Sequence, residues 1–340
     1  MLVVAPCSAA TRRFRLFVMP TVLAAVAVVL MLAISPAEAQ AAAPSNALAE
    51  AKSWGYQLNG LNVDLLAKSP YDVIVIDYAR DGSQDTALTA QDLERLKKKP
   101  DGSRRIVLSY LSIGEAEDYR YYWKWHWGIL WGLFAPSWRG PHNTEWAGNY
   151  AVRYWQPGWQ SIILGSSDTA RDGYLDRIIA VGFDGVYLDK IDSSLEKVGD
   201  QNPSAKTDMV AFVRKIAKAA RAVKPEFFIV PQNGEELLAI PGYRTLIDGF
   251  GKENLLFGDE THGKANTPDT IAQHMQLLAM FTADKKPVFA VEYLDNPAEI
   301  EAARRRLVEY GLIPHFADRD LKTLRIGDLP TGENTKKKRR

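Results

Sequence analysis

Cysteine is almost absent from this chain of 340 residues, because Cys7 is the only one. Cys7 lies in an N-terminal segment that we expect to be removed. The mature chain would then have no disulfide, no thiol nucleophile and no cysteine metal ligand. Its stability must come from a buried core, for which a content of 46% hydrophobic residues is sufficient.

Two common cofactor signatures are missing as well. No strand-like run is followed by the glycine pattern GxGxxG of dinucleotide-binding folds. The five histidines lie far apart in the sequence and show no metal-ligand spacing such as HExxH. The sequence therefore predicts neither a cofactor nor a metal, and acid–base chemistry would fall to carboxylates.

Neither sign of charge dominates, since 42 Lys and Arg face 41 Asp and Glu. Residues 1–39 hold three arginines and one glutamate, so the rest of the chain is near −1. The terminal KKKRR adds five positive charges, which leaves the body near −6. Because a nucleic-acid partner favours a basic body, we expect none. We interpret residues 329–340 as a basic disordered tail.

The N-terminus has the pattern of a signal peptide. Arg12, Arg13 and Arg15 precede an apolar run over residues 17–34, and the small-residue sequence SPAEAQAAA follows. We predict a signal peptide over residues 1–39, with an uncleaved membrane anchor as the alternative. The protein is then secreted or periplasmic, without stable membrane insertion after cleavage.

Short β-rich runs alternate with helical patterns throughout the remaining sequence. The predicted strands are residues 54–58, 73–78, 106–111, 185–189, 227–232, 246–250, 288–293 and 313–316. Eight such β/α units predict an α/β fold, a single (β/α)8 TIM barrel over residues 46–328. A doubly wound open sheet is the alternative.

The active site of such a barrel lies at the C-terminal ends of its strands. The polar residues at those ends are Asp77, Tyr78, Tyr110, Ser112, Glu115, Tyr187, Asp189, Asp192, Gln232, Asn233, Glu235, Lys252, Glu253, Glu292 and Tyr293. Opposing carboxylates across a cleft are what cleavage of a glycosidic bond requires. A single carboxylate can instead be structural, so Asp189 could belong to a buried ion pair and Glu292 to the core rim.

Residues 119–138, YRYYWKWHWGILWGLFAPSW, concentrate large aromatic rings in what reads as a loop. We favour a platform on which sugar rings stack, and the alternatives are a structural flap and a membrane contact. The platform predicts that the cleft of Asp189 is lined by at least one of four rings, Tyr122, Trp123, Trp125 and Trp127.

The strings YLSIGEAEDYR, NYAVRYWQPGW, GFDGVYLDKID, VPQNGEEL and IDGFGKENLLFG occur in this order. Together they resemble glycoside hydrolase family 114, the endo-α-1,4-polygalactosaminidase-like secreted (β/α)8 barrels, over residues 54–328. The resemblance implies a catalytic pair formed by Asp189 and Glu253. Two departures are the insertion KWHWGILWGLF and Lys190, where an apolar residue is expected.

The predicted function is a secreted endo-glycosidase of α-1,4-linked galactosamine-containing polysaccharide, with Asp189 as nucleophile and Glu253 as acid and base. A cationic amino-sugar polymer suits the negative body. Alternatives are a non-catalytic carbohydrate-binding barrel of the cell envelope and a barrel hydrolase for another polysaccharide, such as an α-glucan. The predicted substrate-binding residues are Asp77, Tyr78, Tyr110, Glu115, Arg153, Tyr187, Asp192, Gln232, Asn233, Glu292, Tyr293, Trp123 and Trp125.

Overall fold

The computed structural model describes residues 46–129, 133–166, 172–259 and 261–326. The predicted signal peptide and the predicted basic tail lie outside these residues. None of the helices in the described ranges is both long and apolar enough to cross a bilayer.

The strands and helices follow one another in the order that the sequence predicts, with additions between the third and fourth barrel strands. The strands are β1 (Trp54–Gln57), β2 (Val73–Ile76), β3 (Ile106–Ser112), β4 (Glu115–Glu117), β5 (Arg139–His142), β6 (Asn149–Val152), β7 (Gly185–Asp189), β8 (Phe228–Pro231), β9 (Phe250–Glu253), β10 (Val288–Glu292) and β11 (Ile313–Phe316). The α-helices are α1 (Val63–Ala67), α2 (Ala90–Leu96), α3 (Pro157–Leu164), α4 (Tyr174–Val181), α5 (Ala205–Val223), α6 (Tyr243–Leu246), α7 (Pro268–Thr282) and α8 (Pro297–Glu309).

Eight of the strands are parallel neighbours. Five pair in the order β1-β2-β3-β7-β8 and three in the order β9-β10-β11. A parallel bridge between Gln232 and Gly251 joins β8 to β9, and the indole of Trp54 in β1 donates to the carbonyl of Ile313 in β11 at 2.9 Å. The predicted (β/α)8 barrel is confirmed.

The helices pack their apolar faces onto the outside of the barrel. Helix α5 buries Met209, Phe212, Val213 and Ile216, which recur at three- and four-residue spacing. Helix α2 begins at a capping box formed by Thr89 and Asp92. These local signals explain why the helical patterns could be recognised in the sequence.

The sixth barrel strand is shifted from its predicted position. The sequence predicts a strand over residues 246–250, whereas the strand is Phe250–Glu253 and Tyr243–Leu246 is a short helix. The polar string GKE can form a buried strand because the Lys252 ammonium lies 3.3 Å from the buried carboxylate of Glu235. Glu253 is consequently the last residue of its strand and lies at the barrel mouth.

Aromatic rings fill the interior of the barrel below this mouth. The ring centroids of Trp54 and Tyr56 lie 5.9 Å apart, and those of Tyr56 and Tyr187 lie 5.3 Å apart. The hydroxyl of Tyr187 lies so close to Gly251 that a Cβ there would be 2.0 Å from it. Glycine at position 251 therefore makes room for Tyr187.

Replacing Gly251 by Ala should lower the free energy of unfolding by about 1–3 kcal/mol, since the added methyl overpacks the interior. Chemical denaturation would measure this loss. Tyr187→Phe removes a buried hydroxyl that has no hydrogen-bond partner among the described residues, so alone it should be close to neutral. Combined with Gly251→Ala, it should recover part of the lost stability, and a double variant as unstable as Gly251→Ala would contradict this account.

Candidate active site

Asp189 and Glu253 end two barrel strands and share one hydrogen-bond donor. The side-chain nitrogen of Gln232 donates to Asp189 Oδ1 at 3.0 Å and to Glu253 Oε2 at 2.8 Å. The two oxygens therefore lie at most about 6 Å apart, the sum of these lengths, which is close to the spacing of the carboxyl pair in retaining glycosidases. Asp189 and Glu253 thus face each other at the mouth of the barrel.

Further donors hold each carboxylate in place. The hydroxyl of Tyr110 donates to Asp189 Oδ2 at 2.7 Å. Glu253 accepts from the side-chain amide of Asn233 at 3.0 Å and from the hydroxyl of Tyr293. Because donors favour the ionised form of a carboxyl group, they oppose the effect of burial on both residues.

Burial nevertheless raises the pKa of both carboxyl groups. The pKa of Asp189 rises from 3.8 to about 6, through loss of hydration first and the charge of Glu253 second. The pKa of Glu253 is raised mainly by burial as well. Two facing carboxyl groups with raised pKa values can share a proton near neutral pH, which is what one acid and one nucleophile require.

Left-handed backbone conformations follow the site residues directly. Lys190, Asn233 and Asn254 have φ angles of 61°, 58° and 55°, and none of them is glycine. Each follows Asp189, Gln232 or Glu253 in the chain. Such conformations cost free energy and cluster at functional sites, so the backbone here is held by the surrounding fold.

The pair opens into a cavity of about 1270 Å³. Of the residues that the structure describes, eleven Asp and Glu and four Lys and Arg line it, so this wall carries a surplus of negative charge. The predicted site residues that line this cavity are Asp77, Tyr110, Glu115, Asp189, Asp192, Gln232, Asn233, Glu253 and Tyr293.

The profile of glycoside-hydrolase family GH114 matches residues 35–329. The chain belongs to this family. An uncharacterized protein of Deinococcus radiodurans is 38% identical over 285 residues, which are 82% of this chain and 84% of that protein. The uncharacterized protein MJ1477 of Methanocaldococcus jannaschii is 36% identical over 80% of this chain and 77% of its own. The predicted family is confirmed, and membership supports glycosidase activity.

Two solved structures have the same fold as this GH114 chain. The glycoside hydrolase domain of PelA from Pseudomonas aeruginosa has a TM-score of 0.59 at 18% identity, over 80% of this chain and 97% of that domain. Aspergillus fumigatus Ega3 in complex with galactosamine has a TM-score of 0.58 at 18% identity, over 81% and 94% of the two chains. At this identity, the likeness extends to the fold alone.

Two predicted site residues of the GH114 barrel are buried away from the cavity, which corrects their assignment. Glu292 is fully buried, and its carboxylate accepts from the backbone N–H groups of Leu256 and Phe257. Burial raises its pKa to about 7. Glu292 thus holds the loop after Glu253, and Tyr187 packs beneath the pair in the barrel interior.

Tyr78 and Arg153 also lie outside the cavity wall. The Tyr78 ring packs edge-on against Tyr174 at 5.7 Å. Arg153 donates to the backbone carbonyl of Ser137 at 2.7 Å and so fastens the inserted segment. The position of a residue in the sequence does not give the direction of its side chain, so these two predicted binding residues lie elsewhere.

The predicted aromatic platform is wrong for all four rings, since Tyr122, Trp123, Trp125 and Trp127 are absent from the cavity wall. Trp123 stacks on Tyr150 with centroids 4.7 Å apart, and Trp127 packs edge-on against Trp138 at 5.2 Å. Trp125 is 75% exposed to solvent away from the cavity. The segment is mainly a flap on its own domain.

Two other described rings, Tyr119 in residues 119–138 and Trp146 beyond them, do line the cavity. Trp146 lies between β5 and β6, is 41% exposed, and has the Arg319 guanidinium over its ring at 5.6 Å. Sequence reasoning missed Trp146 because the dense aromatic run before it was more conspicuous.

A buried arginine neutralises part of the negative charge of the cavity wall. Buried Arg120 donates to both oxygens of Asp77, at 2.8 and 2.6 Å, and forms a 2.7 Å ion pair with Glu117. These two carboxylates are therefore structural ties between β2 and β4. Over the described ranges, no three His, Cys, Asp or Glu side chains are arranged to hold a metal ion.

Proposed function

We propose that this protein is a secreted, retaining endo-glycosidase that cleaves galactosamine-containing polysaccharide. The observation that carries the proposal is the pair of facing carboxylates, Asp189 and Glu253, held by one Gln232 amide at the mouth of an acidic cavity. Family membership supports the hydrolase class.

The two steps follow from the positions of the carboxylates. Glu253 donates a proton to the glycosidic oxygen while Asp189 attacks the anomeric carbon, which breaks the glycosidic bond and forms a glycosyl–Asp189 ester. Glu253, now ionised, takes a proton from water, and the hydroxide oxygen displaces Asp189. Both residues return to their starting protonation states.

The spacing favours this route over inversion. An inverting enzyme needs carboxyl groups about 6.5–9.5 Å apart to admit a water between one of them and the sugar. The Gln232 amide holds the facing oxygens closer together than that. A covalent intermediate on Asp189 fits this upper bound on the distance between the two oxygens.

The choice of substrate rests on charge and on similarity. Eleven acidic and four basic residues line the cavity, which favours a cationic chain over a neutral or acidic one. Ega3, which shares the fold, is described in complex with galactosamine. Export rests on the predicted signal peptide over residues 1–39.

The proposal is tested by incubating residues 40–340 with a panel of polymers and measuring new reducing ends. The panel contains α-1,4-galactosaminan with and without N-acetyl groups, chitosan and an α-1,4-glucan. We expect cleavage of the galactosaminans only, with proton NMR showing the α-anomer released first. Cleavage of glucan alone would favour another barrel hydrolase, and binding without cleavage would favour a non-catalytic carbohydrate-binding protein.

Trp146→Ala should raise KM for long galactosaminan by about tenfold while changing KM for short oligomers less than about twofold, because one exposed ring contributes about 1–1.5 kcal/mol of stacking. Steady-state kinetics on two chain lengths would measure this. Trp125→Ala is the matched control, since Trp125 is an exposed tryptophan that also lies between the third and fourth barrel strands but away from the cavity. Equal effects of both variants would contradict the role of Trp146.

A further inference from the structure

The ammonium group of Lys190 is surrounded by carboxylates beside the catalytic pair. Its Nζ lies 2.6 Å from Glu196, 3.7 Å from Glu115 and 3.9 Å from Asp192. The side chain is only 19% exposed, and Lys190 follows Asp189 directly in the chain. We call Lys190 and these three carboxylates the lysine cage.

Every member of the lysine cage lines the cavity. Glu115 is occupied on both oxygens, because it accepts from the amides of Asn143 at 2.9 Å and Asn149 at 3.1 Å. Glu196 is bound by Lys190 itself. Lys190 therefore places one ammonium group among the three carboxylates next to Asp189 and binds Glu196 directly.

Other carboxylates of the same cavity lack such a partner. Asp81 and Asp200 line the wall, and among the described residues no Lys or Arg lies within ion-pair distance of either. A sugar ammonium would be attracted to these carboxylates. At the lysine cage it would meet the positive charge of Lys190 at short range.

We propose that Lys190 determines which sugars bind next to the catalytic pair, so that this position accepts an uncharged, N-acetylated hexosamine while charged galactosamine units bind to the outer carboxylates. This inference rests on the proposed function, because it assumes an amino-sugar polymer. The enzyme then cleaves a partly acetylated chain in preference to a fully deacetylated one.

If Lys190 acted only by stabilising the ionised form of Asp189, its replacement would change the kinetics in a different way. The charge of Lys190 lowers the pKa of Asp189, so its loss would affect the chemical step on every substrate. A role in specificity changes the ratio between two substrates. The ratio of kcat/KM values for the two polymers is therefore the informative quantity.

The test compares Lys190→Met with the wild type on two galactosaminans of equal length, one partly N-acetylated and one fully deacetylated. Methionine keeps the length of the side chain and removes its charge. We expect the wild type to prefer the acetylated polymer, and Lys190→Met to shift the ratio toward the deacetylated polymer by about fivefold to tenfold, as expected for one partly buried charge. An unchanged ratio would overturn the inference.

Two more variants control the result. Lys197→Met removes the same charge from an exposed residue of the same cavity wall, and it should leave the ratio within about twofold of wild type, as expected for a screened charge. Glu196→Gln takes one carboxylate from the lysine cage at a position that is 44% exposed, so the fold should tolerate it. It removes a negative charge that partly neutralises the Lys190 ammonium. The ratio of kcat/KM values should therefore shift toward the acetylated polymer.

Calorimetry provides a second measurement, the ratio of the affinities of the same variants for acetylated and deacetylated oligomers. If the wild type cleaves neither polymer, the proposed function fails, while the binding ratio still decides the role of Lys190. If Lys190→Met does not fold, the shift caused by Glu196→Gln decides it. Equal shifts for Lys190→Met and Lys197→Met would show that only the overall charge of the cavity matters and would overturn the inference.

Discussion

Glu253→Gln should lower kcat on galactosaminan by about 10²–10⁴-fold, which is the usual contribution of a general acid and base. The amide keeps the size of the side chain but cannot protonate the leaving oxygen. Initial rates of reducing-end release, corrected for the folded fraction, would measure this loss. Glu145→Gln, on the exposed rim of the same cavity, should change kcat by less than about threefold, because its ion pair with Arg319 is exposed.

The pH profile of Glu253→Gln should change as well. In the wild type the rate should rise as Asp189 ionises and fall when Glu253 loses its proton, and burial raises the pKa of both carboxyl groups above their ordinary values. The variant should lose the alkaline limb. Its acidic limb should stay close to that of the wild type, because Glu253 is protonated and uncharged where Asp189 ionises, as the amide of Gln is. A profile identical to that of the wild type would exclude Glu253 as the acid.

Gln232→Leu should lower kcat by about 10²-fold, since one side-chain amide positions both reacting carboxylates. Loss of a donor disfavours the ionised form, so the pKa values of both carboxyl groups should rise. The acidic limb of the pH profile should therefore move up by about one pH unit, the equivalent of one hydrogen bond. The profile of kcat between pH 4 and pH 9 would measure both effects.

Asn233→Gly provides the comparison for Gln232→Leu. Glycine accepts the left-handed backbone at position 233 and removes the amide that binds Glu253 but not Asp189. The variant should lose less activity than Gln232→Leu and keep the acidic limb in place. If Gln232→Leu leaves the limb unmoved and kcat intact, Gln232 contacts substrate only and does not position the pair.

The barrel could be predicted from the sequence because its signals are local. Strands such as Gly185–Asp189 are short apolar runs, and helices such as α5 show their buried face at regular spacing. The sixth strand was misplaced because residues 246–250 are apolar and GKE is not. The partners that let Lys252 be buried, Glu235 above all, lie elsewhere in the chain and cannot be recognised from local pattern.

The facing carboxyl groups of Asp189 and Glu253 could be predicted from strand ends and from resemblance, while their surroundings could not. Strand-end position predicts which rim a residue occupies, but the direction of a side chain depends on packing. Glu292 and Tyr78 thus lie outside the cavity, although their strands end at the same rim as Asp189. The antiparallel sheet that presents Trp146 had no recognisable pattern, because its strands are short and partly polar.

The three left-handed residues, Lys190, Asn233 and Asn254, have a consequence for resistance to heat. Each conformation costs a non-glycine residue about 1 kcal/mol. The strained backbone at the rim of the barrel therefore lowers the melting temperature of the protein. The side chain of Asn254 makes none of the hydrogen bonds to Asp189 or Glu253 described above. Asn254→Gly should therefore raise the melting temperature if relief of strain exceeds the added entropy of the unfolded chain. The same change would free the backbone after Glu253, so a more heat-resistant enzyme of this kind should also be a slower one.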